Sequence, residues 1–300
     1  MRAIWSFWSK PYTAFHHRAW LSERQHLLSW ILSLGTAQKH YPDTLLVTDD
    51  CGAELLIGQL ELPFRTVSVE LNELDRDDPH WWTLGKLHAY RSQRQPFIHI
   101  DSDVFLWNEL PQDLATSQVF AQNPERFYFG GDRYRPELWE TAVQALGGTL
   151  PNEWTWYTSR KGNLAVCCGI LGGCNSEFIN DYASQAIHML QQQPNRRALT
   201  EPTEKLGSNI LIEQYFLAAC INYHRFCRDS RFHGVEISYL FNSEEDSATS
   251  AEKRGYTHLI AGAKRNMEIA NRLERRVRDE YPEQYRQLTS YLSKSGRECD

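Results

Sequence analysis

Apolar and polar positions keep two rhythms over the first hundred residues, short apolar runs alternating with stretches of helical spacing. Ala3-Ile4-Trp5-Ser6-Phe7-Trp8 is aromatic and strand-prone, and Lys10-Pro11-Tyr12-Thr13 is expected to end it. Ser22 and Gln25 form a capping-box pattern ahead of Leu27, Leu28, Ile31, Leu32 and Leu34, which predicts a helix stopping near Gly35. Leu45-Leu46-Val47-Thr48 and Thr66-Val67-Ser68-Val69 read as further strands, with a helix predicted from Ala53 to Leu60 between them. Trp82 to Arg94 reads as a helix and Pro96-Phe97-Ile98-His99-Ile100 as a fourth strand, which ends in Asp101-Ser102-Asp103.

Beyond residue 110 the rhythm loosens. Gly130-Gly131, Gly147-Gly148 and Trp154-Thr155-Trp156-Tyr157 predict loops and short strands. Val166 to Gly173 predicts a buried strand, while Glu177 to Gln191 and Asn209 to Tyr223 predict helices. Asn242 to Glu252 is acidic and predicts a surface loop, Tyr256 to Ile260 a last strand, and Asn266 to Lys294 two charged helices divided at Pro282. Strands alternating with helices imply an α/β chain with a mostly parallel sheet. Such sheets hold ligands beyond the carboxyl ends of their strands, which puts Asp101 and Asp103 where a site belongs.

Composition narrows the functional classes. The balance of 32 Lys+Arg against 38 Asp+Glu gives −6 over 300 residues, which argues against broad, sequence-independent nucleic-acid binding. Leu27 to Leu34 is the longest apolar run and is far too short to span a bilayer, and the first residues lack a signal-peptide layout. The seven cysteines include no CxxC pair, so no zinc ribbon or disulfide framework is indicated, and a reducing cytoplasm is the expected compartment. Three of them fall between Val166 and Cys174, where they read as buried small hydrophobes.

Two carboxylates two residues apart at a strand end suit a hard divalent cation that completes its shell with phosphate oxygens. Four segments in order then carry a resemblance: Thr83-Leu84-Gly85-Lys86-Leu87-His88 with Asp101-Ser102-Asp103, Cys168-Gly169-Ile170-Leu171-Gly172-Gly173, Ile212-Glu213-Gln214-Tyr215-Phe216-Leu217, and Tyr256-Thr257-His258 with Gly262 and Lys264. Together they resemble the glycogenin-like retaining glycosyltransferases of GT-A fold, in a divergent bacterial-type branch. The chain departs from that pattern at Cys167, where the family has Asn, at Glu213, where it has Asp, and at Gly262, displaced by one place.

The resemblance implies a Rossmann-like GT-A domain over 1–265, with a nucleotide-binding half at 1–106, an acceptor-shaping half at 107–265 and a helical extension at 266–300. It implies Mn²⁺ or Mg²⁺ held by Asp101, Asp103 and His258. Lys86, Ser102, Gly262 and Lys264 would face the diphosphate of a nucleotide-sugar donor, expected to be a UDP-sugar. Trp8 and Tyr12 would meet the base, Asp132 and Arg133 the sugar hydroxyls, and Glu213 with Gln214 the sugar's β face. Glu213 has two readings there, nucleophile or orienting group. The acceptor is expected to be a glycan or other hydroxyl compound, with Trp81-Trp82 and Trp154-Trp156 as a sugar-stacking platform.

Each assignment has a plainer competitor: an exposed helix lysine for Lys86, a histidine satisfied within its strand for His258, a helix-surface carboxylate for Glu213 and core packing for the aromatics. Two other functions also fit. Ile98 to Val104 is similar to the nucleophile strand of haloacid-dehalogenase-like phosphatases, with Asp101 as the phosphorylated group, and a non-catalytic nucleotide-sugar-binding module would keep the fold without the chemistry.

Overall fold

The computed structural model describes residues 1–128, 131, 134–198 and 208–295. Its nine described strands are β1 (Arg2–Phe7), β2 (Thr44–Thr48), β3 (Thr66–Ser68), β4 (Phe97–Ile100), β5 (Val104–Leu106), β6 (Val119–Arg126), β7 (Leu164–Gly173), β8 (Ile237–Tyr239) and β9 (Tyr256–His258). Seven form one mostly parallel sheet in the order β3-β2-β1-β4-β7-β6-β8, flanked by helices, and β5 pairs with β9 in a separate ribbon. Because β1 lies between β2 and β4, the chain changes its direction of travel across the sheet after β3. The carboxyl ends of β1 and β4 therefore frame a topological switch point, the place where open α/β sheets hold ligands.

Two compact units make up the chain: Met1–Pro79 with His99–Glu109 and the stretch from Ala251 onward, and His80–Ile98 with Leu110–Ser250. In the first, β1 and β2 run parallel with Ala3 opposite Thr44 and Phe7 opposite Thr48, and β2 runs parallel to β3. Every residue of β2 is buried, the signature of a strand covered on both faces. The helix Glu23–Ala37 buries Leu27, Leu28, Ile31, Leu32 and Leu34, each burial stabilising by roughly 1.5–3 kcal/mol.

Two sequence signals in this unit have other causes than those first read. Pro11 does not end structure after β1; it occupies an early position of the helix Ser9–Ala19, where the missing N–H costs nothing. The helix stops near Gly35 as expected, at Ala37, but the glycine is not its cap. The ring of Tyr281 lies where a side chain would start, with a Cβ at position 35 only 2.3 Å from it, so the glycine serves close approach. The final helices Met267–Glu280 and Pro282–Ser295 break at Pro282 as expected and belong to this same unit. Arg24 ties them down through Glu274 at 2.8 Å and the hydroxyl of Tyr285, also at 2.8 Å.

In the second unit β6 runs antiparallel to β7, with an irregularity between Ala121 and Asn123, and parallel to β8. A Cβ on Gly172 would lie 2.1 Å from the Phe97 carbonyl and one on Gly173 2.1 Å from that of Gln118, so backbone packing within the sheet requires both glycines. The expected loops around residues 136–160 are instead the helices Pro136–Ala145 and Asn152–Ser159. Trp154 and Tyr157 share one buried helix face, and Trp154 packs edge-on against Trp139 at 5.1 Å and Tyr215 at 4.9 Å. The acidic stretch expected as a loop forms the exposed helix Glu244–Ser250, its first-turn carboxylates at the positive helix end and the Ser243 hydroxyl accepting the Asp246 N–H. Cys167 and Cys168 are buried thiols as expected, whereas Cys174 is exposed.

Candidate metal centre and its surroundings

All residues of the centre belong to the first unit. β4 delivers His99 and Asp101, and the chain turns sharply after them: the Asp101 carbonyl accepts the Val104 N–H at 3.0 Å and the Ser33 hydroxyl at 3.1 Å. Ser33 in turn receives the indole N–H of Trp5 at 3.0 Å. The turn feeds β5, whose Val104 lies opposite His258 of antiparallel β9. The Leu259 N–H donates to the Asp103 carbonyl at 3.0 Å, so these backbone bonds and the Ser33 hydroxyl fix the spacing of Asp101, Asp103 and His258. One donor atom from each of the three lies within 4.8 Å of the others.

Charge at this point is unevenly distributed. Asp103 is buried; its Oδ2 lies 2.5 Å from Lys264 Nζ and its Oδ1 3.4 Å from His258 Nε2. Burial by itself would raise the Asp103 pKa, but the charges of Lys264 and His258 outweigh it and hold the carboxyl well below the usual range. Oδ1 is buried and accepts no hydrogen bond, an orphaned acceptor aimed toward the imidazole. Asp101 is half-buried, with Oδ1 at 3.7 Å from His99 Nδ1, and the Ser6 hydroxyl holds the other His99 nitrogen at 3.0 Å. Two carboxylates, one of them carrying the unfilled acceptor, and one imidazole are a donor set that fits a divalent cation, and a nitrogen ligand favours Mn²⁺ over Mg²⁺.

Lys264 sits on the short 3₁₀ turn Ala261–Arg265. Its carbonyl accepts the Leu21 N–H at 3.1 Å, and its ammonium lies 5.4 Å from the centre of the Trp20 ring. Gly262 is exposed on the same turn, and Ser102 is half-buried between the two aspartates.

The remaining expected site residues fare differently. Lys86 and Glu213 belong to the second unit, where they meet each other at 2.5 Å with side chains 11% and 1% exposed. Lys86 is thus neither an exposed helix lysine nor a free phosphate-binding charge, because Glu213 neutralises it and the Cys168 carbonyl accepts from it at 3.3 Å. Glu213 also accepts the Tyr90 hydroxyl at 3.1 Å, while its carbonyl accepts that of Tyr182 at 2.5 Å. A fully buried carboxylate inside such a cluster is not a helix-surface group. Glu213 and Gln214 lie on the widened π-type turn Leu211–Tyr215, and Gln214 accepts the Tyr134 hydroxyl.

Trp8 and Tyr12 are buried, Tyr12 packing on Phe7 at 5.3 Å and donating to Glu23, so core packing replaces the expected base stacking. Trp81 and Trp154 are likewise core residues. Trp156 is half-buried beneath Arg160, whose guanidinium lies 4.0 Å from its ring centre. Asp132, with Gly130 and Arg133, lies outside the described residues.

Sequence reasoning missed the groups that hold the centre in place. Ser33 was visible as a polar break in an apolar helix, and Trp20 as an aromatic just ahead of the helix cap. Asp49 ties the ends of β1 and β2 together, accepting from the Ser9 amide and hydroxyl at 2.9 and 2.7 Å and from the Gly52 N–H at 2.7 Å.

The family model for DUF6734, a family of unknown function, matches residues 1–291, and the chain belongs to that family. No curated protein matches it. No described helix is long and apolar enough to cross a membrane.

Proposed function

We propose that this DUF6734 chain is a metal-dependent glycosyltransferase of GT-A type that uses a nucleotide-diphosphate sugar, first among them a UDP-sugar. One observation carries the reading: Asp101 and Asp103 stand at the end of β4 at the sheet's switch point, and the β5–β9 ribbon brings His258 across to them. In the reaction the bond between the anomeric carbon and the diphosphate oxygen breaks, a bond to the acceptor oxygen forms, and the acceptor hydroxyl loses its proton. The electron pair of the broken bond leaves with the nucleoside diphosphate, so negative charge grows on the leaving oxygen.

Asp101, Asp103 and His258 would hold Mn²⁺ or Mg²⁺, which supplies Lewis-acid stabilisation of that charge. Lys264 adds a second positive charge from the protein itself. Ser33 and the backbone bonds of Val104 and Leu259 keep the carboxylates in place without rearrangement during the reaction. Retention at the anomeric carbon is carried over from the sequence resemblance. Lys86 and Glu213, which neutralise each other, are assigned neither to the diphosphate nor to the sugar.

The test is a screen of nucleotide sugars for release of nucleoside diphosphate with Mn²⁺, with and without chelator. The expected result is turnover that needs the cation and is lost in Asp103→Asn. Metal-independent release, or release unchanged in that variant, refutes the reading. Turnover of a simple aryl phosphate in place of nucleotide sugars would transfer Asp101 to the phosphatase reading.

A further inference from the structure

We propose that Lys264 is a built-in counter-ion that blocks the cation centre against a lone metal ion and yields it when a diphosphate arrives. The inference rests on the cation centre proposed above and goes beyond it, because it makes metal and diphosphate binding depend on one another.

Asp103 is buried, and a buried carboxylate needs an opposite charge beside it. Lys264 provides that charge at 2.5 Å, on the same carboxylate whose other oxygen is the orphaned acceptor facing His258. A divalent cation bound to Asp103 would therefore share its ligand with an ammonium group a few ångströms away. Like charges so close repel strongly where water is scarce. A metal ion entering alone must push Lys264 off Asp103 with only solvent and the Trp20 ring, and no anion, to receive it. A diphosphate supplies that receiver: the ammonium exchanges a carboxylate oxygen for a phosphate oxygen, and the cation gains the vacated charge.

The surrounding backbone allows this exchange. The Lys264 side chain is 24% exposed, against 8% for Asp103, so its path leads to solvent rather than into the core. Its turn begins at Ala261, which has φ +48, a left-handed conformation that strains a residue with a Cβ. At Gly262, two residues before Lys264, no heavy atom lies within 4 Å of a built Cβ, so there is room for the turn to move. The Leu21 N–H anchors the Lys264 carbonyl, while the ammonium lies 5.4 Å from the centre of the Trp20 ring, so the backbone end is held and the ammonium is the part that exchanges partners.

The experiment measures Mn²⁺ retained by the protein in equilibrium dialysis at a buffered free Mn²⁺ concentration, with and without inorganic pyrophosphate or UDP. The intact chain should bind Mn²⁺ weakly alone and about tenfold or more tightly with the diphosphate, within the usual span of coupling between sites. Lys264→Met should bind Mn²⁺ alone about tenfold more tightly than the intact chain, and should lose most of the diphosphate enhancement. Lys264→Arg, which keeps the charge, should remain weak without diphosphate. The two changes in Lys264→Met have opposite signs, which loss of structure would not produce.

Mn²⁺ binding that is equal in the intact chain and Lys264→Met, or diphosphate enhancement equal in both, overturns the role of Lys264 while the cation centre stands. No Mn²⁺ binding to either protein under any condition overturns the centre and this inference together. Should Lys264→Met fail to fold, the intact chain still decides: Mn²⁺ affinity indifferent to diphosphate refutes the proposal.

Discussion

The two units each contain a buried carboxylate paired with a lysine at the same 2.5 Å, Asp103 with Lys264 and Glu213 with Lys86. Their surroundings give them opposite meanings. Glu213 is met by neutral donors, the hydroxyl of Tyr90 on its side chain and that of Tyr182 on its carbonyl, and its lysine is 11% exposed. That pair braces the second unit, and its Glu213 Oε2 is, like Asp103 Oδ1, a buried acceptor without a hydrogen bond, so the orphaned oxygen does not by itself separate the two pairs. Asp103 instead sits beside a second carboxylate, Asp101, and an imidazole, and its lysine is more than twice as exposed as Lys86. Repelling groups held together by backbone bonds are a cost that folding alone does not explain. They are the donor set on which the proposed cation centre rests, whereas a salt bridge by its distance alone marks nothing.

The largest expected effect tests the brace. Lys86→Met leaves the Glu213 charge buried without its partner and should destabilise the chain by about 3–5 kcal/mol in chemical denaturation. Adding Glu213→Leu should recover most of that loss, since replacing both partners by apolar groups of similar size is often neutral. A double variant no more stable than the single one would show that Glu213 does more than balance Lys86. Second in size is the chemical effect at the other pair. Asp103→Asn should lower metal-dependent nucleoside diphosphate release by about 10²–10³-fold, the scale for loss of a charge-stabilising group. A fall under threefold would make the two pairs alike.

Acid should separate the units as well. His88, on the helix Thr83–Ser92 that carries Lys86, has its pKa pushed down to about 4 by burial and then by the Arg91 charge. Its neutral form is the one the fold accepts, so its contribution is complete above the unfolded value near 6.5 and is lost as pH falls toward 4. The change should amount to roughly 2–3 kcal/mol between neutral pH and about pH 4, read from denaturant midpoints. His88→Gln should flatten that slope, and an unchanged slope would remove this buried histidine from the account.

The difference between the pairs was half legible in the sequence. The strand ending in Asp101-Ser102-Asp103, the late strand with His258 and the helix break at Pro282 follow from local patterning and appear where expected. Local patterning does not report which charges meet across distant segments. Lys86 and Glu213 lie 127 positions apart, and only the folded second unit shows that they cancel. The burial of Trp8, Tyr12, Trp81 and Trp154 was illegible for a related reason, since a large aromatic serves a core or a ligand with the same local pattern. Helices at Pro136–Ala145 and Asn152–Ser159 were hidden by flanking glycines and prolines, which read as loop signals but here lie at helix starts and in the connections.

The smallest expected effect is also the one that isolates the comparison. Lys264→Met removes a partner from Asp103 just as Lys86→Met does from Glu213, yet it should cost only about 1–2 kcal/mol, because Lys264 is partly solvated and His258 still faces the carboxylate. Millimolar Mn²⁺ should restore the lost stability, since a cation bound only by the folded chain stabilises it by mass action. The same addition should do nothing for Lys86→Met, whose orphaned carboxylate lies among tyrosine hydroxyls and outside the Asp101, Asp103 and His258 group found among the described residues. Melting temperatures of the two variants with and without the cation read this directly. Rescue of both, or of neither, would mean that the charge surroundings described here do not distinguish a cation centre from a brace.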